Sequence, residues 1–119
     1  MAQDRPTAPE LLDAISGFLR NEALPALEGL DARLAFQVKV ALNSLAILSR
    51  EWQRGPQADA AELQRLKALL GRDGDLPTLN AELCRQLRAG ERDERNAALM
   101  DHLRATIAEK IAIANPRWR

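Results

Sequence analysis

"FQVKVALNSLAILSREW", residues Phe36 to Trp52, decides the fold. At about 100° per residue on a helix, Val38, Ala41, Leu42, Leu45, Leu48 and Trp52, with Leu34 just upstream, share one face; Phe36, Val40 and Ile47 stand almost opposite. Two apolar faces predict a helix packed from both sides, at the centre of a bundle. Asn43 falls beside the second face, with Lys39 and Arg50 on the same flank. The spacing predicts this second helix from an N-cap at Asp31 to about Gln53, with Gly55 and Pro56 ending it.

Upstream, Thr7 and Glu10 form a T-x-x-E capping box with Pro9 in the first turn, and Leu11, Leu12, Ile15, Phe18 and Leu19 follow at helical spacing. A first helix is expected from Ala8 to Leu24, ended or kinked by Pro25, with "PALEGL" as connector. Downstream, a third helix is expected over Ala58 to Leu70, stopped by Gly71, and a fourth over Leu76 to Ala89, capped by Asp75 and ended by Gly90. The fifth starts at the N-cap Asn96, carries Leu99, Leu103, Ile107, Ile111 and Ile113, and runs to Asn115 and Pro116. No stretch alternates long enough to be a strand. The expected fold is all-α: one domain over residues 1–119, a bundle of about five helices around a long second helix.

Composition agrees with a globular chain and narrows its chemistry. Hydrophobic residues make up 46% of the 119 residues and charged residues 29%, but aromatics only 3%, so the core is built from Leu, Ile, Val and Ala. Seventeen basic residues balance seventeen acidic ones, which removes the long-range attraction that draws a protein to nucleic acid or to an anionic membrane. No apolar run is long enough for a membrane span. A single cysteine, Cys84, makes no internal disulfide, and "MAQDRPTAPE" has neither a basic nor an apolar leader region, so a soluble cytoplasmic protein is expected.

Four stretches, "QDRPTAPELLDAISGFL", "VKVALNSLAILSRE", "GRDGDLPTLN" and "HLRATIAEKIAIANPRW", run through the chain in an order that resembles a bacterial family of small proteins described only as a domain of unknown function. The resemblance implies a genomic setting: genes of that family lie beside those for kinases resembling aminoglycoside phosphotransferases and for acyl-CoA dehydrogenases. It brings no catalytic residues with it.

Several side chains invite a functional reading. Lys39 and Asn43 are one helical turn apart and Arg50 lies nearly in line with them, so their donors suit one anionic or carbonyl-rich ligand. The competing and preferred account is a polar seam between packed helices. Glu22 and Lys110 each interrupt an apolar stripe, so at least one pairing between helices is expected, Glu22 with Lys110 or either of them with Lys39, Asn43 or Arg50, making an internal polar cluster. Its first reading is structural, its second a ligand site.

His102 is the only histidine and has no partner at metal-ligand spacing, so it is expected at the surface. Cys84 and Ser44 lack a base in reach by sequence. "DGD" at Asp73 to Asp75 fails as a calcium loop, because Pro77, Thr78 and Cys84 stand where a ligand, the glycine and the glutamate belong. The tail places Trp118 between Arg117 and Arg119, suited to stacking on a base but more commonly folded back on a bundle.

With no catalytic set, no metal set and no cofactor motif, the expectation is a non-catalytic accessory or interaction module. Its partner is a kinase-like protein or acyl-CoA dehydrogenase by resemblance, or a second copy as a homodimer. The alternative is a carrier whose bundle interior takes an acyl or CoA-type ligand, with Lys39, Asn43 and Lys110 at one end.

Overall fold

The computed structural model describes residues 4–118. Every regular element among them is helical: α1 (Ala8–Phe18), a π-helical turn (Leu19–Ala23), α2 (Leu24–Leu27), α3 (Ala32–Leu70), α4 (Leu76–Arg88) and α5 (Ala97–Ala114). The chain divides into two compact units, Met1–Arg54 and Gly55–Arg119. The boundary falls at the Gly55–Pro56 step.

In the first unit the capping box forms as the spacing predicts: the Thr7 N–H donates to Glu10 Oε1 at 3.2 Å, and the Glu10 N–H to Thr7 Oγ1 at 3.3 Å. Pro25 does not end the helix at Leu24. The chain instead widens by one residue ahead of it, with the Leu24 N–H donating to the carbonyl of Leu19. A wide turn relieves the crowding between a proline ring and the carbonyl four residues back, so one more turn follows, to Leu27.

The connector is therefore only four residues long. Glu28 (φ −63°, ψ 128°) and Gly29 (φ +82°) form a type II turn closed by the Leu30 N–H on the Leu27 carbonyl at 3.0 Å, which requires glycine at its third position. Asp31 then caps α3 through the Leu34 N–H at 3.1 Å.

Two expectations for this segment are corrected. Gly55 and Pro56 do not terminate a helix: α3 runs unbroken for 39 residues with Pro56 inside it. Gly55 is not among the glycines with positive φ, so it makes no left-handed cap, whereas Gly71 (φ +66°) ends α3 as predicted. Proline in a helix interior costs about 3 kcal/mol, and good helix formers on both sides outweigh it.

The second correction concerns the two buried faces. Phe36 is 66% exposed and Val40 49%, while Ile47 is half-buried. The covered side of the N-terminal half of α3 lies between the two apolar faces, along Ala35, Val38, Leu42, Leu45, Ala46 and Ser49. Among the described residues of this unit, Ala35 is the one buried apolar side chain.

The second unit has a proper core. Leu66 of α3, Leu79 and Leu83 of α4 and Leu99 of α5 are buried together, with Leu63, Leu69, Leu70, Leu76 and Leu103 packed around them. These are the leucines that the helical spacing selects, and they make the end of α3, α4 and α5 a three-helix bundle. Asp75 caps α4 through the Thr78 N–H at 2.9 Å, and Asn96 caps α5 through the Leu99 N–H at 2.9 Å. At the end of α4 the Glu91 N–H reaches the Gln86 carbonyl and the Gly90 N–H the Leu87 carbonyl, a Schellman closure that uses Gly90 at φ +73°.

Candidate functional site

The first unit carries an open apolar groove of about 320 Å³, lined by Ala8, Leu11, Leu12 and Ile15 of α1 and by Leu48 and Trp52 of α3. It follows from two helical stripes meeting side by side with too little bulk to close over them. Leu11, Ile15, Leu48 and Trp52 stay exposed, as do Phe18 and Leu30 elsewhere in the unit. The groove lining is almost wholly apolar.

The residues singled out in the sequence as a polar cluster are not internal. Glu22, Lys39 and Asn43 are exposed in the first unit, and Lys110 is exposed in the second; Arg50 is half-buried. The expectation of a buried charge pair through Glu22 or Lys110 is corrected: both lie on solvated helix faces, where a charge needs no partner. Lys39 and Asn43 border the exposed stripe of Phe36 and Val40 on the same helix, and none of the five lines the groove.

A cluster that sequence spacing does not single out lies in the second unit. His102 is 4% exposed, a correction to its expected surface position. Arg65 of α3 donates through Nε to His102 Nδ1 at 3.3 Å, through Nη1 and Nη2 to the two carboxylate oxygens of Glu109 at 3.1 Å each, and through Nη2 to Thr106 Oγ1 at 3.1 Å. His102, Thr106 and Glu109 follow each other at four and three residues, one face of α5. That same rotation turns Ile107 outward, against its expected place on the core stripe.

An Nδ1 that accepts from a guanidinium carries no proton, so His102 is the neutral Nε2–H tautomer. Burial, and then the positive Arg65, hold its pKa below the ordinary histidine value, against weaker opposing pulls from Glu62 and Glu109. The cluster fastens α5 to α3. Every buried side-chain polar atom among the described residues has a partner, and the cluster presents no free base to a substrate.

A second polar network closes the other end of this bundle. Arg92 donates through Nη2 to the Leu69 carbonyl at 2.8 Å, satisfying one of the last carbonyls of α3, and through Nε to the amide oxygen of Gln86. The Gln86 amide donates to Glu82 Oε1 at 3.0 Å, and Arg85 bridges Glu82 at 2.8 Å and Glu91 at 3.0 Å. Hydrogen bonds from Arg85 and Gln86 lower the Glu82 pKa to about 2.

Cys84 is exposed. No group of three or more metal-ligating side chains occurs among the described residues. Trp118 is exposed rather than folded back on its unit, and Arg119 lies outside the described residues. Among the described residues no helix is long and apolar enough to cross a membrane.

Searches of curated proteins and of solved structures found no match. One family model does match, beginning in the turn ahead of α3 and ending in the tail, so that α1 and its capping box lie outside the match. On that match, over residues 28–118, the chain belongs to the family described as "Domain of unknown function (DUF6285)".

Proposed function

We propose that the chain is a non-catalytic helical module that works by binding another protein through the groove between α1 and the N-terminal half of α3. The observation that carries this reading is the contrast between the units: the second buries a leucine core, whereas the first leaves Leu11, Ile15, Leu48 and Trp52 exposed on one surface. Aromatic and long aliphatic side chains around a shallow groove suit the apolar face of a partner helix. The partner suggested by the resemblance is a phosphotransferase-like kinase or an acyl-CoA dehydrogenase encoded nearby. A lone cysteine fits the reducing cytoplasm in which such enzymes work.

Co-purification of the tagged chain with each of those enzymes tests the proposal. The wild type is expected to retain one of them, and a variant with Ile15→Glu and Trp52→Glu to lose it. Equal retention by both chains, or by neither, overturns the reading.

A second reading has one observation in its favour: the groove volume, about 320 Å³, sits at the small end of the range of ligand sites. An acyl chain suits its lining, but Lys39, Asn43 and Lys110 are not there to meet a head group. With Trp118→Phe, Trp52 is the only tryptophan left, so titration with a long-chain acyl-CoA reads directly on its fluorescence. A saturable shift favours the carrier.

A further inference from the structure

The opposite flank of α3 carries a second stripe, exposed at Phe36, Val40 and Asn43 and half-buried at Ile47. Phe36, Val40, Asn43 and Ile47 recur at four, three and four residues, the spacing of a seam between two helices. Asn43 lies midway along this stripe on the edge toward Lys39, exposed, with no hydrogen bond from its side chain to any described residue. Along one edge lie Arg33 and Glu51, both exposed and in no ion pair among the described residues. They are 18 positions apart in the sequence, which on a helix is about 27 Å, too far for one to reach the other in the same chain.

Two identical helices packed antiparallel about a two-fold axis set each edge against the same edge of the other copy. Arg33 of one copy then faces Glu51 of the second, and Glu51 faces Arg33, when the axis passes midway between them, at residue 42. That register lays Phe36 on Ile47 of the second copy and brings the two Val40 and two Asn43 side chains together at the centre, within about one helical turn of the axis. A carboxamide offers both donor and acceptor, so two copies of Asn43 satisfy each other, and one polar residue in an apolar seam fixes its register.

We propose that this face is a homodimer interface: two copies pair antiparallel through the N-terminal half of α3, with Phe36, Val40 and Ile47 interleaved, Asn43 paired at the axis, and reciprocal Arg33–Glu51 ion pairs at the edge. A two-fold dimer is the commonest assembly for a surface complementary to itself. The groove on the other flank stays open, so this inference stands apart from the partner reading above.

The test is a charge exchange followed by sedimentation equilibrium. The wild type is expected to be a dimer. Arg33→Glu alone sets glutamate against Glu51 twice, and Glu51→Arg alone sets arginine against Arg33 twice, so each variant is expected to associate at least about tenfold more weakly. An equimolar mixture of the two restores both ion pairs in a heterodimer and is expected to recover the wild-type association. Both positions are exposed, so helix content by circular dichroism stays that of the wild type. A monomeric wild type, whatever else occupies the stripe, overturns the proposal, as does a mixture no better associated than its components. A dimer that survives Val40→Glu also overturns it, whereas one that survives Ile15→Glu with Trp52→Glu supports it by separating this face from the groove.

Discussion

Arg65→Met tests the account of the second unit most sharply, because it keeps the aliphatic stem of the side chain and removes only the guanidinium. Two losses follow. The buried Nδ1 of His102 is left without a donor, at a cost of about 1–3 kcal/mol. The bidentate pair with Glu109 also disappears; with the two side chains 26% and 29% exposed, solvent screens it and it contributes about 1 kcal/mol. Some of this is offset because a methionine needs no desolvation of charge, so the expected net loss is about 2–3 kcal/mol, read from urea midpoints of the two proteins.

The same substitution has a second readout. His102 is the only histidine, so its ring resonances give one titration curve free of overlap. In the wild type it titrates below its ordinary value, and the loss of Arg65 moves it upward. A folded-state pKa below the unfolded one means that the unfolded chain takes up the proton first. The stability contributed by neutral His102 is therefore complete above the unfolded pKa of about 6.5 and declines as pH falls toward the folded value. A loss below about 0.5 kcal/mol, or a His102 titrating at or above the ordinary value, refutes the cluster as the fastening between α5 and α3.

Further outcomes follow from the same packing. Leu79→Ala, at a fully buried position, costs about 2–5 kcal/mol by urea denaturation, whereas Phe18→Ala, on an exposed face, stays within about 0.5 kcal/mol of wild type. Glu82, with a folded pKa of about 2, contributes stability that is complete above about pH 4.5 and fades as pH falls toward 2; in Glu82→Gln the acid titration of unfolding loses that component. Gly74→Ala places a Cβ 3.1 Å from Leu79 Cδ2 at a φ of +156°, and is expected to lower the thermal midpoint through about 1–2 kcal/mol of strain. Pro56→Ala restores the backbone donor missing from the middle of α3 and raises stability by about 1–3 kcal/mol against urea.

What the sequence discloses and what it hides divide along physical lines. Caps are local: Thr7, Asp31, Asp75 and Asn96 each satisfy a backbone N–H three positions on, so they are legible without knowing what packs where, and all four hold. The leucine core of the second unit is nearly as legible, since Leu79, Leu83 and Leu99 stand on narrow stripes with one possible inward direction. Arg65 is hidden because its role depends on a helix 37 residues away presenting His102, Thr106 and Glu109 together; a buried histidine with a threonine one turn on looks in sequence like any polar flank. Gly55 and Pro56 mislead for a different reason, as breaker residues set a local cost that the helix around them outweighs. The stripe of Phe36, Val40 and Ile47 shows the deeper limit: periodicity says that a face avoids water and is silent on whose side chains exclude it. A core face and an interface face have the same pattern, and they are told apart by the polar residues within and beside them. An asparagine beside the stripe and opposite charges 18 positions apart at one edge meet no partner among the described residues, and they are the features from which we propose a second copy of the same helix as the cover.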